Sequence, residues 1–486
     1  MTIKVFNSLS KQKEEFKPEE PGKVKIYVCG VTPYNHPHIG NARPFVTWDV
    51  IKRYLERRGF QVYHVQNFTD VDDKIINTAN AEQVSWKEIA DKYIAAYFEV
   101  MDKLNVRRAN LYPRVSEHIS EIVSMVETLI EKGFAYVVDG DVYYGVESFS
   151  GYGKLSGRGL EDMKAGARVD VDERKRHPMD FALWKAAKLG EPSWESPWGQ
   201  GRPGWHIECS AMSLKYLGES FDFHGGGSDL VFPHHENEIA QSEACTGREP
   251  FVRYWLHNGF ITVNEEKMSK SLGNFFLVKD ILAHYSAEAL RFFIISTHYR
   301  SPLNFSDEQL ADAVRGLERL KSAADNLTYL AKANVKEGSG AETKALLAAA
   351  NDARRNFMAA MDDDFNTALA IGVMFGLAKE VNIYYSGVMA GKFGNDAEIL
   401  AEIESIYRDL ADILGLVFSN QTISENCDTL CNDNGTVNKL LDLIVIIRQE
   451  ARKKKDWATA DTIRDRLGEV GYVIEDSPQG ARWKKR

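Results

Sequence analysis

The apolar run Val24-Lys25-Ile26-Tyr27-Val28-Cys29-Gly30 ends in a glycine turn and predicts a buried strand. After it, Phe45, Val46, Val50, Ile51, Tyr54 and Leu55 recur at helical spacing, with Gly59 as the stop. A second strand is predicted over Gln61–Gln66. Strand, helix and strand at this spacing predict a βαβ crossover, hence a parallel sheet and an α/β fold. Residues 1–112 read as the first half of that sheet domain. A mixed region, 113–201, interrupts it: it carries hairpin-like pieces around Asp139-Gly140-Asp141, a Gly-rich stretch from Gly151 to Gly166, and a Trp- and Pro-rich end at Trp184, Trp194, Pro197 and Trp198. The sheet pattern resumes near Pro203 and fills 202–277. From Val278 the pattern turns helical, with Ile281, Leu282, Tyr285, Leu290, Phe293 and Ile294 on one face through a junction at 278–306. Long amphipathic helices are predicted over Asp307–Ala333 and Glu342–Leu416, a helical bundle at 307–418. The polar stretch Ser419 to Asn438 reads as a linker, and 419–486 as a small terminal module.

Composition narrows the class. The 486 residues are 44% hydrophobic, with 24 Phe, 20 Tyr and 9 Trp, enough for a large core. The net charge of −10 means that any nucleic-acid contact has to come from local basic patches. Two exist near the end: Arg448 to Trp457, with Arg452-Lys453-Lys454-Lys455, and Arg482-Trp483-Lys484-Lys485-Arg486. Such runs are either solvated faces or RNA-contacting ones, and a Trp among cations suits stacking on an unpaired base. The first residues, Met1 to Lys23, lack the apolar segment of a secretory signal, and no run approaches the ~18 apolar residues of a membrane span. Five scattered cysteines, Cys427 and Cys431 among them, make no disulfide framework. The expectation is a cytoplasmic, multidomain protein with no membrane association.

Two short stretches carry chemistry suited to a nucleoside triphosphate. In His38-Ile39-Gly40-Asn41, His38 and Asn41 fall at the start of the predicted helix, where backbone N–H groups and the dipole favour phosphate. In Lys267-Met268-Ser269-Lys270-Ser271, two ammonium groups on a loop suit a phosphoryl-transfer transition state. Gly225-Gly226-Gly227 with Asp229 reads as close backbone approach plus a carboxylate for ribose hydroxyls. A third constellation is Cys29, Cys209, His234 and Glu238: the last two are four apart, so on a helix they share a face. Two thiolates, an imidazole and a carboxylate suit Zn²⁺; equally, they are buried thiols and an ordinary helix histidine. His206, His224, His234, His235 and His257 fall close together in the chain, which argues for a site. Asp70, Asp72 and Asp73 lack the glycine of a calcium loop and read as structural or as positioning an RNA end.

The first two stretches together resemble the two signature motifs of class I aminoacyl-tRNA synthetases, with Asn41 standing where that class has a second histidine. Four longer segments resemble the cysteinyl-tRNA synthetase family: Thr32-Pro33-Tyr34-Asn35-His36-Pro37, Asn67-Phe68-Thr69-Asp70-Val71-Asp72-Asp73-Lys74, Gly204-Trp205-His206-Ile207-Glu208-Cys209, and His224 through Glu238. Pro33 stands where the family usually has Val. The resemblance implies a nucleotide-binding doubly wound parallel sheet split by a connective insertion. A stem-contact junction, a helical bundle and a small C-terminal anticodon-binding domain would follow. It implies ATP-dependent activation of L-cysteine and transfer to the 3′ end of tRNA(Cys). By the same resemblance one zinc per chain sits on Cys29, Cys209, His234 and Glu238. Trp205, His206, His224 and His235 line the amino-acid pocket, and Thr32, His38, Gly40, Asn41, Gly227, Asp229 and Lys270 bind ATP. His38, Asn41, Lys267 and Lys270 carry the catalytic charge stabilisation, Mg²⁺ accompanies ATP, and the protein is expected to be a monomer. Zinc would make selection against serine possible, because pocket shape alone yields only about 1–3 kcal/mol for so small a change. Two other readings fit part of the pattern: a cysteine ligase acting on a small amino-sugar acceptor, and a non-catalytic zinc protein that binds RNA.

Overall fold

The computed structural model describes residues 2–159, 173–263, 266–267, 276–332, 340–418, 434–469, 472–477 and 480–485. It opens on a hairpin that the hydrophobic pattern does not predict, β1 (Lys4–Asn7) paired antiparallel with β2 (Gln12–Glu15). The reason is visible in β2, whose four residues are all polar or charged. Then follow β3 (Lys23–Val28), α1 (Ile39–Arg57) and β4 (Gln61–Gln66). β3 and β4 pair in parallel, from Lys23 against Gln61 to Val28 against Gln66. Val24, Ile26, Tyr27 and Val28 are all fully buried because both faces of the sheet are covered, so the strand reads as a nearly continuous apolar run.

A helical hairpin, α2 (Asp73–Glu82) and α3 (Trp86–Lys103), leaves the edge strand β4 and keeps a small core of its own around Ile75, Ile89 and Tyr93. The insertion contributes α4 (Ile119–Glu131) and four antiparallel strands in the order β5 (Ala135–Val138), β6 (Asp141–Tyr144), β7 (Phe181–Ala186) and β8 (Gly201–Pro203). The Gly-rich stretch is described only up to 159. Pro203, the predicted restart of the parallel sheet, instead closes the insertion's sheet, opposite Trp184. The parallel sheet resumes after α5 (Trp205–Leu217), with β9 (Phe221–Gly227), α6 (Glu236–Thr246) and β10 (Val252–Asn258). Its order is β10-β9-β3-β4, so the winding reverses between β3 and β9. In such sheets the crevice outside the carboxyl ends at the reversal is where ligands bind.

A second small sheet, ordered β12-β11-β13, joins β11 (Ile261–Val263), β12 (Glu266–Lys267) and β13 (Leu303–Phe305) around α7 (Val278–Ile281) and α8 (Ala287–Ile295). The bundle is α9 (Asp307–Lys332), α10 (Ala341–Asp362), α11 (Thr367–Met389) and α12 (Ala397–Ile413). One continuous core runs from the sheet through Trp48, Tyr54 and Phe223 into Leu290, Leu317, Phe357 and Met374. The opposite face packs Tyr27, Val65, Ile207 and Trp255 against the insertion's Trp184.

Residues 419–486 form a separate compact unit. Its helices α13 (Asn434–Lys453) and α14 (Trp457–Glu469) and its antiparallel pair β14 (Tyr472–Ser477) and β15 (Gly480–Lys485) enclose Leu441, Val445, Leu467 and Ile474. α13 begins at Asn434, inside the stretch that reads as linker, because its first turn is polar. Cys427 and Cys431 lie outside the described residues. Among the described residues no helix is long and apolar enough to cross a membrane.

Candidate metal centre and nucleotide cavity

The crevice at the reversal point is a cavity of about 380 Å³ whose lining includes Cys29, Thr32, His38, Gly40, Asn41, Gly226, Gly227 and Asp229. Backbone forms much of its wall. A Cβ at Gly30 would lie 1.6 Å from the Asn67 carbonyl oxygen, and one at Gly225 would lie 1.9 Å from the Trp48 ring. No other residue fits either position.

His38 and Asn41 cap α1 reciprocally. The Asn41 backbone N–H donates to His38 Nδ1 and the His38 backbone N–H donates to Asn41 Oδ1, each at 3.2 Å. The cap fixes the chemistry of both side chains. A neutral His38 accepting at Nδ1 carries its proton on Nε2, and Asn41, with its oxygen engaged, has its NH₂ left to donate. The first turn of α1 therefore offers donors to an anion at its N-terminus. The described residues that flank the lysine-rich stretch are both held, and those after it lie beside this turn. Lys267 pairs with Thr262 of β11 at one end; at the other, Ile39 donates to the Phe276 carbonyl at 3.1 Å and Val278 to that of Pro37 at 2.9 Å. For Lys267 only the backbone is described, and Met268, Ser269, Lys270 and Ser271 lie outside the described residues.

Cys29, Cys209, His234 and Glu238 converge at the inner end of the crevice, all buried, with one donor atom from each inside a 4.8 Å cluster. Cys29 follows β3 and Cys209 lies on α5. His234 sits in a wide turn, Val231–His235, that leads into α6, and Glu238 is in that helix's first turn. Donors sharing one tetrahedral zinc stand about 3.75 Å apart for two sulfurs, about 3.5 Å for sulfur and oxygen, and about 3.3 Å for nitrogen and oxygen. Here Cys29 Sγ is 3.7 Å from Cys209 Sγ and 3.5 Å from Glu238 Oε1, and His234 Nε2 is 3.1 Å from Glu238 Oε1. The donor set fits the ion. A second grouping, Cys29, His224, His235 and Glu238, shares two members, but its His224 Nε2 is bound to Glu238 Oε2 at 2.8 Å and it offers one sulfur.

Electrostatics point the same way. Burial and the neighbouring Cys209 push the Cys29 thiol well up, whereas a hydrogen bond from Cys29, against the cost of burial, draws Cys209 down to about 6. Burial opposes charge on Glu238 and His234, yet His224 and His234 hold the carboxyl at about 2, and Glu238 and Cys209 lift the imidazole to about 10. The chain thus supplies one buried cation against Cys209 and Glu238. A negative charge on Cys29 as well requires a further positive charge, which a divalent ion provides.

The other predicted pocket residues surround these donors. His206 Nδ1 lies 2.9 Å from His234 Nδ1, which leaves His234 Nε2 to face Glu238. Trp205 stacks on His234 with centroids 4.3 Å apart. His235 puts Nε2 3.4 Å from Cys29 Sγ and Nδ1 2.8 Å from His257 Nε2. Burial drives His206 and His235 well down, so both imidazoles are neutral. Asn67 was not singled out by residue type: its Oδ1 accepts from the Gly30 backbone at 2.9 Å and sits 3.8 Å from Cys209 Sγ. Asp70 is a buried acceptor for Ser116, Asp72 caps α2, and Asp73 pairs with Lys185 at 3.5 Å and Arg202 at 2.5 Å.

Comparison with known proteins gives matches along nearly the whole chain. Residues 15–315 match the tRNA synthetases class I (C) catalytic domain, 356–419 the DALR domain, and 437–483 the cysteinyl-tRNA ligase anticodon binding domain. The cysteine–tRNA ligase of Pelotomaculum thermopropionicum is 57% identical over the full length of both chains, and that of Heliobacterium modesticaldum 54%. Among solved structures, Mycobacterium tuberculosis methionyl-tRNA synthetase in complex with methionyl-adenylate superposes with a TM-score of 0.60 at 16% identity, covering 81% of this chain and 89% of its own. A putative arginyl-tRNA synthetase from Campylobacter jejuni gives 0.57 at 13% identity, over 84% of this chain and 95% of its own. These two likenesses speak to fold.

Proposed function

The chain belongs to the cysteinyl-tRNA synthetase family, and on that premise we propose how its residues divide the work of a cysteine–tRNA ligase. The reaction is ATP-dependent. The L-cysteine carboxylate attacks the α-phosphorus and displaces pyrophosphate, giving cysteinyl-adenylate. A hydroxyl of the terminal adenosine of tRNA(Cys), the 2′ one by class analogy, then attacks the carbonyl carbon and AMP leaves. Neither step needs strong side-chain acid–base chemistry, so positioning and charge stabilisation carry the rate.

In this reading His38 Nε2–H, the Asn41 NH₂ and the N-terminus of α1 receive the phosphates, with Thr32 and Gly40 beside them. Gly227 and Asp229 hold the ribose, and Lys267 and Lys270 bring ammonium groups to the charge that develops on the leaving pyrophosphate. Mg²⁺ enters with ATP. Cys29, Cys209, His234 and Glu238 would hold one zinc ion, which when bound supplies a soft acceptor for the substrate thiolate and so discriminates against serine. His206 and His224 orient His234 and Glu238, while Trp205 and His235 complete the walls of the amino-acid pocket. Residues 278–306 would meet the tRNA stem, 307–418 support it, and 419–486 read the anticodon. We further propose that the enzyme works as a cytoplasmic monomer.

The observation that carries this reading is the convergence of two thiols, an imidazole and a carboxylate at the reversal point of the sheet. Cysteine-dependent ATP–pyrophosphate exchange on the Cys209→Ser variant tests it. Cysteine activation is expected to fall by at least about a hundredfold with little change in the KM for ATP, and the zinc content by elemental analysis should fall with it. Unaltered cysteine kinetics in that variant would remove the proposed role.

A further inference from the structure

Transfer needs the terminal hydroxyl to reach the carbonyl carbon from a side that ATP does not occupy. The strand order identifies that side. Gly226 and Gly227 end β9 with Asp229 just beyond, and Asn258 ends β10 with Gly259 to Ile261 beyond, both on one side of β3; the α2–α3 hairpin follows β4 on the other. That far rim carries an exposed lysine. Lys74 Nζ lies 5.4 Å from the centroid of the Tyr34 ring, and among the described residues Lys74 has no carboxylate partner. It is also the one lysine or arginine among the described residues that line the cavity. An uncompensated ammonium beside an aromatic face suits a phosphate that links stacked nucleotides.

A second cleft of about 460 Å³ opens between α3 and the insertion. Trp86 and Trp194 stand in it edge to face, 6.0 Å between centroids, and Lys87 Nζ is 5.5 Å from the Trp86 ring. Of the acids there, Asp70 is bound to Ser116 and Asp91 to Arg114 at 2.6 Å. Glu117 also lines the cleft, so stacking rather than charge is what it offers.

We propose that the α2–α3 wall is the track for the unpaired 3′ end of tRNA. Lys74 takes a phosphate next to the terminal adenosine, and the Trp86–Trp194 cleft takes an unpaired base further back. The inference rests on the ligase reading above and goes beyond it by naming the surface that delivers the acceptor.

The test separates adenylate formation from transfer in the full chain. For Lys74→Ala, ATP–pyrophosphate exchange, which needs no tRNA, should stay within about twofold of the unmodified enzyme. Single-turnover transfer from preformed adenylate to tRNA should slow by at least about tenfold, and Lys74→Arg should recover most of it. The slope of log KM for tRNA against log salt should drop by about 0.7, the value for one phosphate on a single strand. Trp194→Ala should raise the KM for tRNA by at least about fivefold, as loss of one stacked base does. Exchange falling in parallel with transfer would assign Lys74 to ATP and overturn the proposal; so would unimpaired transfer. Failure of the ligase reading itself would show separately, as absent cysteine-dependent exchange in the unmodified protein.

Discussion

Asn41 shows how much one side chain's chemistry depends on its neighbour. The class motif has a second histidine there, and an amide at first suggests a weakened phosphate contact. The reciprocal cap with His38 gives the asparagine a use a histidine would fill differently: its oxygen closes the helix end and its NH₂ remains a donor. That was not legible from the motif alone, because it depends on φ and ψ at the helix start. The residue types of the candidate metal group, Cys29, Cys209, His234 and Glu238, were legible, since only a few side-chain types suit zinc; their convergence was not. Asn67 was not singled out, since an amide among buried polar residues has no distinctive signature. A different buried group sets a pH limit. Burial in β4, reinforced by the nearby Lys52 charge, lowers His64 from 6.5 to about 3. The unfolded chain takes up that proton near pH 6.5 and the folded chain only near pH 3, so protons favour unfolding throughout that window. Stability should fall with pH by up to about 1.4 kcal/mol per unit below 6.5 from this residue. Denaturant midpoints at pH 7 and pH 5 should differ less in His64→Phe than in the unmodified protein.

At the scale of elements, the informative contacts are those that tie the sheet to the bundle. Arg43 of α1 is buried and donates to the carbonyls of Gly259 at 2.7 Å, Phe260 at 3.0 Å, His298 at 3.3 Å and Ser301 at 2.5 Å. It thereby fixes the cavity wall at Gly259 and Phe260 to the strand-bound segment after α8. The next link is Asp364, in the turn between α10 and α11. It accepts from the Phe6 backbone and the Tyr299 hydroxyl, each at 2.8 Å, and from Arg300 Nε at 2.7 Å. Asp364 and Phe365 both have positive φ, 65° and 51°, a conformation that Asp and Asn tolerate better than most residues. Asp364→Ala should therefore lower unfolding free energy by about 3 kcal/mol, with Asp364→Asn losing less, as read from urea midpoints. Equal losses in the two variants would show that backbone tolerance contributes nothing. The helices here were predictable from their periodicity, and α9 is described over Asp307–Lys332 of the predicted Asp307–Ala333. The β1–β2 hairpin was not: β2 has no apolar position to mark it as a strand, and Lys4 bridges to Asp363, far along the chain.

For the whole molecule, the cavity, the candidate metal donors and the proposed 3′-end track all lie within residues 1–418, while 419–486 has its own core. A chain ending at Phe418 should keep ATP–pyrophosphate exchange yet lose at least about a hundredfold in kcat/KM for tRNA charging, because one of two linked binding surfaces is gone. Exchange lost along with charging would mean that the catalytic unit depends on the smaller one to fold. Sequence alone determined the alternation of strand and helix, the insertion, the bundle and the identity of the chemical groups. Periodicity is a local property, and long motifs carry residue types directly. Tertiary structure decided which of these groups meet. Cys29, Cys209, His234 and Glu238 span 210 positions of the chain, and only the reversal between β3 and β9 brings them within 4.8 Å. It also decided that Lys74 faces the cavity from the rim opposite the glycine loop, since strand order is set by non-local packing that no local pattern records.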